Sequence, residues 1–270
     1  GVDRVVRVRA TTDCREIADA AGAMDLVIVL VKSFHTQIAI DAALPIISEN
    51  TIVLSLQNGL GHEDILAAAV GQARVIAGKT YAGGVMLAPG HVIVGTKDRE
   101  TIIGEIDGAI TERVARIARV LNDAGLRTEV SNNIIGTIWE KLLVNVATGA
   151  LSGITGLAYG ELYQVPEVAA CAEAAVAEAM HVARANGVQL TTTDARAPWL
   201  KAASGLPPEF KASMLQSLEK GSVTEVDFVN GSVVRWGAKV GVPTPVNQAL
   251  VACIKGVERA LPKGNHGVAA

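Results

Sequence analysis

Lys141 and Asn145 lie four residues apart in Trp139-Glu140-Lys141-Leu142-Leu143-Val144-Asn145, so they share one face of any helix that forms there. Ile138, Leu142 and Val146 mark an adjoining apolar stripe. A lysine on a largely apolar helix that faces a crevice loses hydration. Its ammonium then gives up its proton more readily, which suits a general acid near neutral pH. The same pattern also fits a lysine whose stem packs while its head reaches water. Lys32 closes the apolar run Leu26 to Val31, at the carboxyl edge where open α/β sheets take ligands. There it can meet a phosphate, a ribose hydroxyl or a substrate acid, or stay solvated. Asn58-Gly59 closes a second run, Thr51 to Leu56, and fits a ligand contact at the same edge or a turn that needs Asn-Gly geometry. Ser213 opens Ser213-Met214-Leu215-Gln216. Thr224 can cap a helix, with Asp227 at the capping-box position and Glu225 in the first turn, where an acid is stabilised by the helix end.

Other chemistries find little support. The histidines are scattered without an H-x-x-x-H pair, and Cys14, Cys171 and Cys253 form no CxxC, so neither a metal site nor a disulfide framework is expected. With 24 basic and 27 acidic residues the net charge is −3, and no basic block marks a nucleic-acid surface. No uninterrupted apolar run exceeds six residues, far short of the roughly 20 a membrane span needs. The first residues, with Asp3, Arg4, Arg7 and Arg9, lack the apolar centre of a secretory leader, and a cytoplasmic protein is expected. The nearest approach to G-x-G-x-x-G is Gly59-Leu60-Gly61-His62-Glu63-Asp64, whose two acids would repel a phosphate.

The elements that must position these residues fall into two kinds. Leu26–Val31 and Thr51–Leu56 read as strands covered on both faces, with a helix over Thr36–Ile47 between them, a β-α-β unit with parallel pairing. A third strand is expected at Arg74–Gly78. His91–Gly95 and Thr101–Gly104, separated by Lys97-Asp98-Arg99, read as a hairpin or a small antiparallel extension. Thr111–Ala124 is an amphipathic helix ended by Gly125, before a strand at Arg127–Val130. From Asn132 onward helices dominate. They are expected over Ile134–Leu151, from Pro166 to Asn186-Gly187, from Glu209, from Thr224 to near Gly241, and after Pro245. The expectation is an α/β domain over residues 1–131 and an all-α domain over 132–270.

Six segments together resemble the ketopantoate reductase (2-dehydropantoate 2-reductase) family: Asp25–Lys32, Leu56–Gly59, Trp139–Asn145, Ser213–Gln216, Thr224–Gly231 and Pro243–Asn247, in the family's order and spacing. The resemblance implies a Rossmann-like nucleotide-binding domain and a helical domain, with hydride transfer between reduced nicotinamide and a keto carbon. It implies Lys141 as general acid, Glu225 as the acid that hydrogen-bonds the substrate hydroxyl, and Ser213 at the substrate carboxylate. Asn58 would lie between cofactor and substrate, Asn145 beside the substrate, and Lys32 and Glu225 at the cofactor. NADPH is the expected cofactor, with NADH as the alternative, and a small 2-keto acid the expected partner. A homodimer is in keeping with the family.

Two features depart from that pattern. The family opens with a glycine-rich fingerprint, whereas Gly1-Val2-Asp3 corresponds to a point beyond the first β-α unit, so that about 40 residues of the pattern are absent, judged against the ~30-residue βαβ unit. Gly149 and Tyr159 stand where the family tends to place asparagines around the substrate. Two alternatives follow: a reductase of another small 2-keto acid, and a non-catalytic nucleotide-binding or assembly protein.

Overall fold

The computed structural model describes residues 4–94 and 99–262. Helix α1 (Cys14–Ala21), capped by the Asp13 carboxylate, leads into β1 (Leu26–Val29), α2 (Thr36–Ala43), β2 (Ile52–Ser55), α3 (His62–Val70) and β3 (Val75–Thr80). A short antiparallel pair follows, β4 (Gly84–Ala88) and β5 (His91–Val94), then β6 (Thr101–Gly104), α4 (Glu112–Asp123) and β7 (Thr128–Val130). The main sheet has the order β1-β2-β3-β6-β7. β1, β2 and β3 are parallel, with Leu26 opposite Ile52 and Val53 opposite Val75, while β6 runs antiparallel to β3 and parallel to β7.

Alternation along the central strands explains why their apolar runs are continuous. Val53 and Val75 turn to one face and pack with Ile40 of α2 and Leu66 and Val70 of α3. Leu54 and Ile76 turn to the other and pack with Val114, Ile117 and Leu121 of α4.

The rest is helical: α5 (Ile134–Thr155), α6 (Tyr159–Leu162), α7 (Pro166–Ala185), α8 (Arg196–Ala203), α9 (Ser213–Glu219), α10 (Asn230–Val240) and α11 (Pro245–Ala260). α5 is the axis of this half. Its Trp139, Leu143, Val146, Ala147 and Ala150 are fully buried among α7, α8, α9 and α11. Small residues let these helices approach closely: Ala172, Ala175 and Ala179 of α7 are fully buried, and a Cβ on Gly153 would meet Ile254 at 2.8 Å. By length and composition α5 could cross a membrane, but 67% of its apolar stretch is buried inside the protein, as in a core helix.

Four expectations are corrected. β5 pairs with β4, not with β6, which instead joins the main sheet through β3 and β7. Gly95, Lys97 and Asp98 of the expected hairpin lie outside the described residues. The helix expected from Glu209 begins at Ser213, because Pro207, Pro208 and Phe210 form a turn against α6. The helix expected from Thr224 is a 3-10 turn over Val226–Phe228 followed by α10. Thr224 donates to the Glu258 carboxylate through its N–H and its hydroxyl, both at 2.7 Å, and Asp227 pairs with Lys255 rather than closing a capping box. Glu225 directly precedes that turn, but its carboxylate caps none of the turn's N–H groups and is left to bond elsewhere. α1 and α8, each eight residues, have no counterpart in the reading of the sequence, being too short for a clear period.

The two halves meet where the chain leaves β2. Gly59 has φ +97°, and a Cβ there would lie 2.4 Å from the Phe228 carbonyl oxygen, so only glycine permits the approach. The Leu60 N–H donates to that carbonyl at 3.0 Å, and the fully buried His62 stacks on the Phe228 ring at 5.0 Å. Neither imidazole nitrogen has a hydrogen-bond partner among the described residues. Burial lowers the His62 pKa to about 4; the Glu225 charge opposes this and Arg235 adds to it. The neutral form thus belongs to the fold. Its contribution is complete above the ordinary value of 6.5 and is lost as pH falls through about 4. The wild-type chain is expected to lose stability faster than His62→Phe between those two pH values in urea unfolding, and parallel curves would refute this.

Candidate active site

The carboxyl ends of β1, β2 and β3 open toward α5, the loop before the Val226–Phe228 turn and the start of α9. Two adjoining cavities lie there. The larger, about 430 Å³, is walled by Leu30, Val31 and Leu56, with Lys32, Asn58, Thr80, Tyr81, Lys141 and Glu225 supplying polar atoms. The smaller, about 210 Å³, takes in Asn58, Asn145, Ser213 and Glu225 on its polar side, and Tyr159, Phe210, Met214 and Val229 on its apolar side. All six residues singled out from the sequence line one or both cavities. Asn58 and Glu225 form the shared wall.

Glu225 comes from the helical half but is held by the sheet half. It is 8% exposed, and its Oε1 accepts the Ser33 N–H at 3.0 Å and the Ser33 hydroxyl at 2.6 Å. Its Oε2 faces Lys32 Nζ at 3.3 Å. A buried carboxylate needs this many partners to offset its desolvation. Nearby, the Gln57 amide donates to Val31 O and Thr36 Oγ1, which fixes the loop carrying Lys32.

Lys141 reaches across from α5. Its Nζ donates to the Thr80 carbonyl at 2.6 Å and lies 5.3 Å from the centre of the Tyr81 ring. Burial lowers its pKa to about 8, the Lys79 charge pushes the same way, and Glu225 opposes both. Next to it in the sequence, Glu140 faces elsewhere. Its carboxylate accepts from the N–H and hydroxyl groups of Thr191 and Thr192 and so ties α5 to the loop before α8.

The amide side chains of Asn58 and Asn145 have no hydrogen-bond partner among the described residues, although both line the cavities. They are donors and acceptors available to a ligand. The Tyr159 hydroxyl, by contrast, donates to Thr148 Oγ1 at 3.1 Å. A Cβ added at Gly149 would sit 3.2 Å from the end of Met214, so this wall is closed by a thioether rather than by an amide. The smaller cavity suits a small molecule with a polar end toward Asn58, Asn145, Ser213 and Glu225 and an apolar end toward Phe210, Met214 and Val229.

The larger cavity fits the edge of a nucleotide cofactor. It lies at the ends of three parallel strands, its walls are apolar enough for a flat ring, and Lys32 and Asn58 stand ready for ribose or amide groups. Among the described residues no group of histidines, cysteines and acids could hold a metal ion. The sequence reading missed Ser33, Lys79, Thr80 and Tyr81. Ser33 directly follows Lys32, and Lys79 and Tyr81 end a strand as Lys32 and Asn58 do, so position at the carboxyl edge was the available signal.

The chain matches two family models: ketopantoate reductase PanE/ApbA over residues 1–108 and ketopantoate reductase PanE/ApbA C terminal over residues 133–258. It is 34% identical over 237 residues to the 2-dehydropantoate 2-reductase of Archaeoglobus fulgidus, covering 88% of this chain and 78% of that protein. It is also 34% identical to the enzyme of that name from Halobacterium salinarum, covering 96% and 83%. Among solved structures, a PanE/ApbA family ketopantoate reductase from Ralstonia eutropha JMP134 superposes with a TM-score of 0.84 at 36% identity, over 96% of this chain and 82% of that one. A D-mandelate dehydrogenase in ternary complex with NADH and anilino(oxo)acetate superposes with a TM-score of 0.81 at 27% identity, over 88% and 78%.

The grip of Ser33 on Glu225 makes a prediction about stability. Glu225→Ala leaves the buried Ser33 N–H without its acceptor and the Ser33 hydroxyl with only the Asn58 carbonyl at 3.2 Å, and is expected to cost roughly 1–3 kcal/mol in urea unfolding. A loss below about 0.5 kcal/mol, the range of a surface change, would contradict the clamp.

Proposed function

Because the chain belongs to the ketopantoate reductase family, we propose that it reduces 2-dehydropantoate to pantoate, with NADPH as the hydride donor and Lys141 as the general acid. The observation that carries this reading is the partly desolvated Lys141 ammonium in the wall of the larger cavity, which adjoins the smaller one through Asn58 and Glu225. Reduced nicotinamide, when bound, supplies the hydride to the keto carbon. Lys32, Asn58 and Glu225 are the residues that would hold that end of the cofactor. Asn145 and Ser213 orient the keto acid, with Ser213 toward its carboxylate. As the carbonyl oxygen gains negative charge, Lys141 stabilises it and delivers a proton from Nζ. Glu225, fixed by Ser33, accepts a hydrogen bond from the substrate hydroxyl. The acid must be protonated to act, so the reduction rate is expected to fall as pH rises through about 8.

Lys141→Ala tests the reading. kcat for NADPH-dependent reduction is expected to drop by roughly 10²–10⁴, with the far-ultraviolet circular dichroism unchanged. Retention of the wild-type rate would remove Lys141 from the reaction.

A second reading, reduction of another 2-keto acid, is favoured by the apolar side of the smaller cavity. Gly149 and Tyr159 present no free amide, and Phe210, Met214 and Val229 offer contact to a bulkier apolar group. The neighbour named as a D-mandelate dehydrogenase points the same way. Comparing kcat/KM for 2-dehydropantoate and phenylglyoxylate decides between them. The first reading expects 2-dehydropantoate to be preferred at least 10-fold, and the reverse order would establish the second.

A further inference from the structure

Lys79 is a buried cation that the proposed reaction does not use. It lies within β3 opposite Ile102 of β6 and is 7% exposed. It takes part in none of the ion pairs found among the described residues. Burying an ammonium without a carboxylate in contact costs free energy that a neutral side chain would not incur. The strand period explains where it points. Lys79 and Tyr81 are two residues apart and turn to the same side, and Lys79 Nζ sits 4.8 Å from the Tyr81 ring centre. Lys141 Nζ lies 5.3 Å from the same ring, so the two ammonium groups are within about 10 Å of each other. Three consecutive residues thus act on Lys141: Lys79 by charge, Thr80 by its carbonyl and Tyr81 by its ring.

We propose that Lys79 is a positioning residue for Lys141, a fixed second cation at the same Tyr81 ring that activates the Lys141 ammonium for proton donation. This rests on the reading of Lys141 as the general acid. Like charges near one another each favour loss of a proton, and a partly dry surrounding enlarges the effect. The other charged groups around the pair are accounted for. Glu225, with Lys32 beside it, lines the larger cavity together with Lys141 and opposes Lys79. On the far side, Arg99, Glu100, Arg127 and Lys201 line a further cavity with Lys141. Glu100 and Glu140 favour the charged form of Lys79, Lys201 disfavours it, and burial lowers the Lys79 pKa from its ordinary value more than any of these.

The test is single-turnover hydride transfer against pH in the full chain, with saturating NADPH and 2-dehydropantoate. Lys79→Met keeps the bulk and removes the charge. The basic limb of its profile is expected about half a pH unit or more above that of wild type. Lys79→Arg, whose guanidinium is charged at every pH used, is expected to return the limb to the wild-type position. A merely structural role would change thermal stability and leave the limb in place, which would overturn the proposal. Where Lys79→Met does not fold, Lys79→Gln is read by the same criterion. Lys141→Ala separates the two levels. If it retains the wild-type rate and limb, the acid assignment has failed and this proposal with it. If it is inactive while Lys79→Met keeps the wild-type limb, only the role of Lys79 has failed.

Discussion

The site depends on one buried carboxylate held across the junction of two halves. Glu225 enters from the helical half, yet its hydrogen bonds are to Lys32 and Ser33, at the carboxyl end of the first strand of the sheet half. A buried acid is tolerable only where donors converge on it, so the clamp fixes the angle at which the halves meet. Gly59 completes that constraint from below. Its missing Cβ lets the Phe228 carbonyl reach the Leu60 N–H, and this brings the loop of Glu225 down onto the strand ends. Both cavities are walled by the residues so placed.

Against this wall the partly dry Lys141 gains its character. In water an ammonium is stabilised by full hydration. Here burial strips much of that hydration and a second lysine lies in the neighbourhood, so the proton is held less firmly even though the Thr80 carbonyl and the Tyr81 ring favour the ammonium. The same helix that presents Lys141 is the axis of the helical core, with Trp139, Leu142 and Leu143 buried on its other sides. A rigid core helix is a good mount for a group that must meet a reacting atom within tenths of an ångström.

Much of this was legible in the sequence for physical reasons. Thr51–Leu56 is apolar on both sides because helices cover both faces of the sheet there, whereas Leu26–Val31, also read as covered on both faces, lies at the sheet edge with Ile28, Leu30 and Val31 exposed. The four-residue spacing of Lys141 and Asn145 put both at the cavities, where their side chains line adjoining walls. What was hidden depended on long-range contacts. Glu225 read as a helix-start acid because Thr224 and Asp227 have the local pattern of a cap, and only the fold gives Thr224 to Glu258 and Asp227 to Lys255. β6 read as the partner of β5 because they are near in sequence, although its pairing with β3 and β7 places it in the main sheet. Lys79 was invisible because nothing local marks a lysine in an apolar strand as buried. The other lysine at the Tyr81 ring is distant in the chain.

The claim on which the rest stands is that Lys141 titrates as a desolvated ammonium. The direct measurement is the proton-binding midpoint of its Nζ, followed by nitrogen-15 resonance of ζ-labelled lysine and assigned by loss of the signal in Lys141→Arg. The structure leads to a midpoint near 8, well below the ordinary 10.5 of lysine. A midpoint at the ordinary value would mean a solvated side chain, and would contradict this account of the site.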